Sequence, residues 1–133
     1  MAGKSTYLTD ALLNHVLRNT TYTPPSTVYA GLFSAAPSDA GGGTELSGSG
    51  YARQAVTLGA PEAGTPTGRQ CKNAGAVTFG PATADWSEAT HFGIFDAATA
   101  GNLLYWASLA SSRTVLNGDT GSFAADALIV KED

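Results

Sequence analysis

Cysteine is almost missing from this chain of 133 residues. With Cys71 alone, no internal disulfide can form, and a single thiol suits a protein that folds in a reducing cytosol. The length is that of one domain, residues 1–133, and a chain of this size buries about two thirds of its unfolded surface without disulfides or metals. Basic residues are few. Seven Lys and Arg against eleven Asp and Glu give a net charge of −4. That balance leaves no electrostatic footprint for nucleic acid, and an anionic membrane surface would repel the chain. No run of eighteen apolar residues is present, and the N-terminus shows no apolar stretch able to serve as a signal-peptide core.

Charge of either sign is scarce. Charged residues make up 14% of the chain, against about 25% in ordinary soluble domains, and half of all positions are Ala, Gly, Ser or Thr. Lone cytosolic monomers carry more surface charge for solubility, so part of this surface is expected to be covered by other subunits.

One helix is legible. Over residues 5–18, closed by Asn19, Leu8, Leu12, Leu13, Val16 and Leu17 recur at spacings of three and four. Ser5 or Thr6 can cap it, and Pro24 and Pro25 follow its end. From Thr27 the period changes to two. Val28, Ala30 and Leu32 share one face of a strand over Thr27–Phe33, with Tyr29 and Phe33 on the other, which predicts a central strand. Further strands are predicted over Tyr51–Leu58, Ala74–Phe79, Thr90–Phe95, Leu103–Leu109, Arg113–Leu116, Thr120–Phe123 and Ala127–Lys131. Residues 36–50 and 59–73, rich in Gly and Pro, read as long loops. Asn117-Gly118 predicts a tight hairpin turn between the strands around Val115 and Phe123, and the segment Asp96–Asn102 predicts a longer reversal. Ala55–Pro61 and Ala76–Ala82 echo each other, as equivalent strands of a sandwich would. Eight short strands, one helix and two long loops predict a mainly antiparallel, jelly-roll-like β-sandwich.

Catalytic and metal motifs are weak. Gly3-Lys4-Ser5-Thr6 resembles the end of a phosphate-binding loop but lacks the upstream glycine and strand, so it reads as a helix cap. His15, His91 and Cys71 have no metal-ligand spacing, which predicts no metal and no cofactor. No nucleophile elbow is present, and Ser47-Gly48-Ser49-Gly50 reads as flexible loop. Among carboxylates, Asp85 and Glu88 flank Trp86, and with Asp96 they are the residues a small hydrolase would use. The more economical reading has Trp86 plugging a sandwich end or a subunit contact. In Leu103–Ala107 strict alternation pairs Leu104 with Trp106 and Leu103 with Tyr105, giving two apolar faces of which the second needs a cover. Tyr and Trp are common interface anchors. The predicted subunit contacts are therefore Leu8, Leu12 and Val16 on the helix, Trp86, the pair Tyr105 and Trp106, and the loop tips 39–50 and 62–73.

The segments Leu12-Leu13-Asn14-His15, Thr23–Tyr29, Gly50-Tyr51-Ala52-Arg53-Gln54-Ala55, His91–Thr99 and Gly101–Leu104 together resemble a family of small tailed-bacteriophage proteins commonly labelled tail fibre or tail-fibre-like. The likeness runs from about Tyr7 to about Val130. Residues 59–73 and the charged end Lys131-Glu132-Asp133 depart from it. The resemblance implies a non-enzymatic virion protein, assembled in the host cytoplasm and partnered by other virion subunits and by copies of itself, with no nucleic acid or membrane partner. A compact β pattern with one short helix lacks the long repeat of a fibre shaft, so the expected role is capsid decoration on the particle exterior. The alternative is a tail fibre or tail-tip subunit touching host glycan, with Trp86 and His91 facing solvent.

Overall fold

The computed structural model describes residues 2–132. In chain order the elements are β1 (Ala2–Lys4), α1 (Thr6–Leu17), β2 (Val28–Ala35), β3 (Thr44–Glu45), β4 (Gln54–Val56), β5 (Glu62–Ala63), β6 (Arg69–Lys72), β7 (Val77–Phe79), β8 (Ala89–Phe95), β9 (Leu103–Arg113), β10 (Gly121–Phe123) and β11 (Ile129–Glu132). A six-stranded sheet runs β1-β9-β8-β2, with both β3 and β4 pairing to the far edge of β2. Facing it are a three-stranded sheet, β11-β6-β5, and a two-stranded one, β10-β7. Every pairing is antiparallel. The expected mainly antiparallel β-sandwich with one short N-terminal helix is what the chain forms.

The main core lies between the sheets. Ala30 and Leu32 of β2, Phe92 and Ile94 of β8 and Leu104 of β9 meet Val77 and Phe79 of β7, Leu128, and Val130 of β11. Strand β2 is central as its two apolar faces predict: Ala30 and Leu32 enter this core while Phe33 joins a second cluster with Phe95, Leu103 and Trp106 on the outer face. A buried polar group closes one end. Asn73 accepts from the Leu128 N–H at 2.8 Å and donates to the carbonyls of Gly75 (2.7 Å) and Ala124 (2.9 Å), so a fully buried amide has partners at both ends.

The helix starts as expected. The Ser5 hydroxyl accepts from the Leu8 N–H at 3.1 Å, which makes Ser5 the N-cap, and Asn19 leaves the helix at φ +55°. The Gly3–Thr6 stretch is thus a strand end and a helix cap.

Five expectations are corrected. Strand β1 was outside the predicted set. The loops 36–50 and 59–73 contain β3, β5 and β6, strands of two to four residues that are too short for local pattern to reveal and are held by pairing to β2, to each other and to β11. The strands expected at Leu103–Leu109 and Arg113–Leu116 are one, β9, bent where Leu109–Ser112 leave the ladder with β8. Gly118 does turn the chain at φ +87°, with the Asp119 N–H donating to the Leu116 carbonyl at 2.9 Å, but no hairpin follows. Strand β10 pairs with β7, because Phe123 packs edge-on to Phe79 and Phe92 and gains more core contact there.

The fifth correction is one of phase. Ile94 faces Tyr105 and Phe95 faces Leu103, so Leu104 is an extra residue, a β-bulge. The bulge puts Leu103 with Trp106 on the outer face and Leu104 with Tyr105 on the inner one, reversing the pairing that strict alternation predicts.

Candidate interaction surface

The outer face of the large sheet is covered by its own chain. The Arg53 guanidinium lies 3.5 Å from the centroid of the Phe95 ring. Its Nε and Nη2 donate to the two oxygens of Glu45 at 2.9 and 2.8 Å, and Nη1 donates to the carbonyls of Ala97 (3.0 Å) and Ala100 (2.7 Å). Glu45 also accepts the Tyr51 hydroxyl at 2.7 Å, and that oxygen in turn accepts the Leu32 N–H at 2.9 Å. Burial, then the hydrogen bond to Glu45, pushes the Tyr51 phenol far above its ordinary ionisation range, so it stays a neutral donor. Only Gly31 leaves room for this cluster, since a Cβ there would meet the Glu45 carboxylate at 2.8 Å and the Tyr51 oxygen at 3.1 Å. One cation therefore fastens the 45–53 segment to the β8–β9 hairpin. Asp96 closes that hairpin, accepting from the Asn102 N–H at 2.7 Å and from its side-chain amide at 3.0 Å.

The second cover is Asp39, whose carboxylate accepts Trp106 Nε1–H at 3.0 Å while its carbonyl accepts the Thr6 N–H at 2.7 Å. Trp106 is thus satisfied internally. Leu8 and Trp86 are also buried, Trp86 at 5% exposure with Nε1 donating to the Ser49 carbonyl at 2.8 Å and its ring edge-on to Tyr51 at 5.6 Å. Leu8, Trp86 and Trp106 accordingly serve the protein's own core, which corrects their expected availability to a partner and places Trp86 out of reach of a glycan. Leu12 is half-buried against the core. Tyr105 is half-buried too. Its hydroxyl donates to Glu132 at 2.7 Å, Glu132 pairs with Lys4 Nζ at 2.6 Å, and burial followed by the Glu132 bond raises the phenol well above its usual range. Of the six expected contact residues, Val16 alone presents most of its side chain to solvent.

The loop tips are reduced only in part. Leu46 and Gln70 are buried and the strands at 62–63 and 69–72 pair with each other, while residues 42–44, 47–48 and 65–68 remain exposed. Sequence reasoning did not bring Glu45, Tyr51 and Arg53 together. The one available signal was that Tyr51, Arg53, Phe95, Asp96 and Ala97 all fall within the segments that carry the phage resemblance.

The carboxylates that a hydrolase would need, Asp85, Glu88 and Asp96, do not converge. Asp85 accepts the Asn117 N–H at 2.8 Å and Glu88 the Ser112 hydroxyl at 2.8 Å, so each carboxylate holds its own loop. His91 sits beside Trp106, its rings 6.2 Å apart, with Nδ1 2.8 Å from the Thr90 hydroxyl, and burial lowers its pKa. Among the described residues no three His, Cys, Asp or Glu side chains group as a metal site would need, and no helix is long and apolar enough to cross a membrane.

What the surface does offer is apolar. Leu13, Val16 and Leu17 on α1 and Leu116 near the Asn117 turn are exposed, and an open groove of about 360 Å³ beside β9 and β10 is lined by Leu109, Val115 and Phe123. These are features for packing against other proteins. A family model described as Podophage GP4 fiber I protein gp80 matches residues 3–131. No curated protein matches the chain.

Proposed function

The chain belongs to the family of podophage GP4 fiber I protein gp80, a phage fibre protein, and from that membership we propose that it acts as a tail fibre or tail-tip subunit of the virion. The carrying observation is the span of the match, which takes in nearly the whole sandwich. A virion structural protein works by contact with other virion components, and the low charge and the exposed apolar residues suit that work. The family's fibre description favours this reading over capsid decoration, the role expected from the compact β pattern. A shaft is not required. A small sandwich can serve as a joint or tip, with rigidity supplied by the Arg53 cluster and partners engaged through surfaces outside it.

Copy number tests the reading. Quantitative mass spectrometry of purified particles, counting this chain against the major shell protein, should return a few to a few dozen copies, and labelling with antibody should mark the tail. Hundreds of copies distributed over the head would restore the decoration role. Absence from washed particles would remove the virion reading altogether.

A further inference from the structure

One side of the sandwich is an open seam between strand edges. Strand β1 covers β9 only at Tyr105–Ala107, and Leu109–Ser112 leave the ladder with β8, so among the described residues these four pair with no strand on either side. Ala110, Ser111 and Ser112 are exposed. Across the seam, β10 pairs with β7 alone and β11 with β6 alone. The bonds that join Tyr105, Glu132 and Lys4 close one end. Beyond them two hollows of about 360 and 350 Å³ share Leu109, Ala110, Phe123 and Ala127 and form one groove, with Phe79 in one hollow and Phe92 in the other. The charged side chains that line it are Arg113 and Lys131, one in each hollow, and no described carboxylate does. Lys131 Nζ donates to the Thr65 carbonyl at 2.7 Å, and among the described residues the Arg113 guanidinium has no hydrogen bond or ion pair.

We propose that this seam docks an extended acidic segment of another virion protein, which adds a strand along Leu109–Arg113, sends alternate apolar side chains toward Phe79, Phe92 and Phe123, and sets carboxylates against Arg113 and Lys131. The proposal rests on the reading of the protein as an assembled virion subunit and names the chemistry of one partner. Three observations select that occupant. Backbone left unpaired beside an apolar groove is a template for strand addition, in which main-chain bonds give affinity and every second side chain enters the groove. The layers of a sandwich lie ~10 Å apart, which admits side chains and excludes a helix that is itself ~10 Å across. Both lining charges are positive in a chain of net charge −4, so charge complementarity calls for carboxylates. A second copy does not supply them: β3, β5 and β11, the strands that carry Glu, are each bonded within their own sheet, and a second β9 would bring another Arg113 to this one. At ~3.3 Å per residue the free edge accepts about five or six residues.

Hydrogen exchange read by mass spectrometry tests the docking. Amides of Ala110–Arg113 should exchange at least a hundredfold more slowly in purified particles than in the isolated chain. A benzoylphenylalanine photo-crosslinker in place of Ala110 should join the chain, in particles, to a peptide of another virion protein that carries Asp or Glu among alternating apolar residues. Arg113→Glu should lower incorporation into particles at least tenfold while Arg113→Lys keeps it, with circular dichroism and a retained thermal transition showing that each variant is folded. Crosslinking to a second copy overturns the proposal in favour of self-pairing. A crosslinked peptide without carboxylates, or normal incorporation of Arg113→Glu, overturns the acidic partner. Unchanged exchange and no crosslink, with the chain still incorporated, overturn the docking and leave the virion role intact. A chain missing from washed particles removes the virion reading, and this proposal with it.

Discussion

Replacing Arg53 by lysine keeps a positive charge and removes a fork. In the native chain the guanidinium makes four hydrogen bonds, two to Glu45 and two to the carbonyls of Ala97 and Ala100, and stacks 3.5 Å above Phe95. Its side chain is 10% exposed and that of Glu45 23%, so solvent screens the pair little. An ammonium on a flexible stem can hold one of these acceptors well and cannot lie flat on the ring. Losing two or three charge-assisted bonds, partly replaced by water, is expected to cost about 2–3 kcal/mol. Arg53→Ala goes further and leaves the Glu45 carboxylate with the Tyr51 hydroxyl as its main partner, at about 3–5 kcal/mol. For a domain of this size each kcal/mol moves Tm by ~3–5 °C, so the lysine variant should melt about 10 °C lower and the alanine variant about 15 °C lower. Urea unfolding gives the free energies directly. A double-mutant cycle with Glu45→Gln isolates the pair, with a coupling of about 1–3 kcal/mol expected. Should Arg53→Ala cost less than about 0.5 kcal/mol, the pair is an ordinary surface ion pair and the proposed locking of the outer face is wrong.

Other outcomes follow from the same geometry. Asn73→Ala empties a buried amide site and strips the partner from the buried Leu128 N–H, and should cost about 2–3 kcal/mol in urea unfolding; a loss below about 1 kcal/mol would show that water replaces the amide. Gly93→Ala puts a Cβ 2.7 Å from Leu103 and 2.9 Å from Phe33 and should destabilise by about 1–3 kcal/mol, with calorimetry as the check. Burial holds the folded His91 pKa below its ordinary 6.5, so the unfolded chain binds the proton more readily. His91's contribution to stability is whole above pH 6.5 and declines as pH falls below it; melting curves from pH 7.5 to 5 should steepen this way in the native chain and flatten in His91→Gln. Because one core joins the three sheets, differential scanning calorimetry should show a single unfolding transition.

The helix and the central strand β2 were legible because their signals are local. Ser5, the leucine spacing and Asn19 fix α1, and apolar residues on both faces mark β2 as central; the strand at Thr90–Phe95 was legible as a strand, its interior position was not. Strands β3 and β5 escaped notice because two residues carry no period, and they are held by pairing with Phe33 of β2 and Gln70 of β6. The Leu104 bulge defeated the face assignment of Trp106, since one unpaired residue inverts an alternation without altering composition. Large aromatics in a charge-poor chain suggested an interface, yet Trp86 and Trp106 found carbonyl and carboxylate partners, Ser49 and Asp39, in other segments of the same chain. The apolar side chains that the helix leaves exposed, Leu13, Val16 and Leu17, were visible as part of the helix stripe. Sequence could not divide that stripe, because which half a core takes depends on where the helix docks. The phage assignment was legible through longer segments, and these include most of the residues that Arg53 gathers together.

The ion pair between Lys4 and Glu132 carries an architectural consequence. It brings the first and last strands to one corner of the sandwich, so a short peptide bridge can join them with little loop-closure entropy. New ends can then be opened at Gly42, around which the chain leaves empty space. A circularly permuted version cut there should fold to the same sandwich.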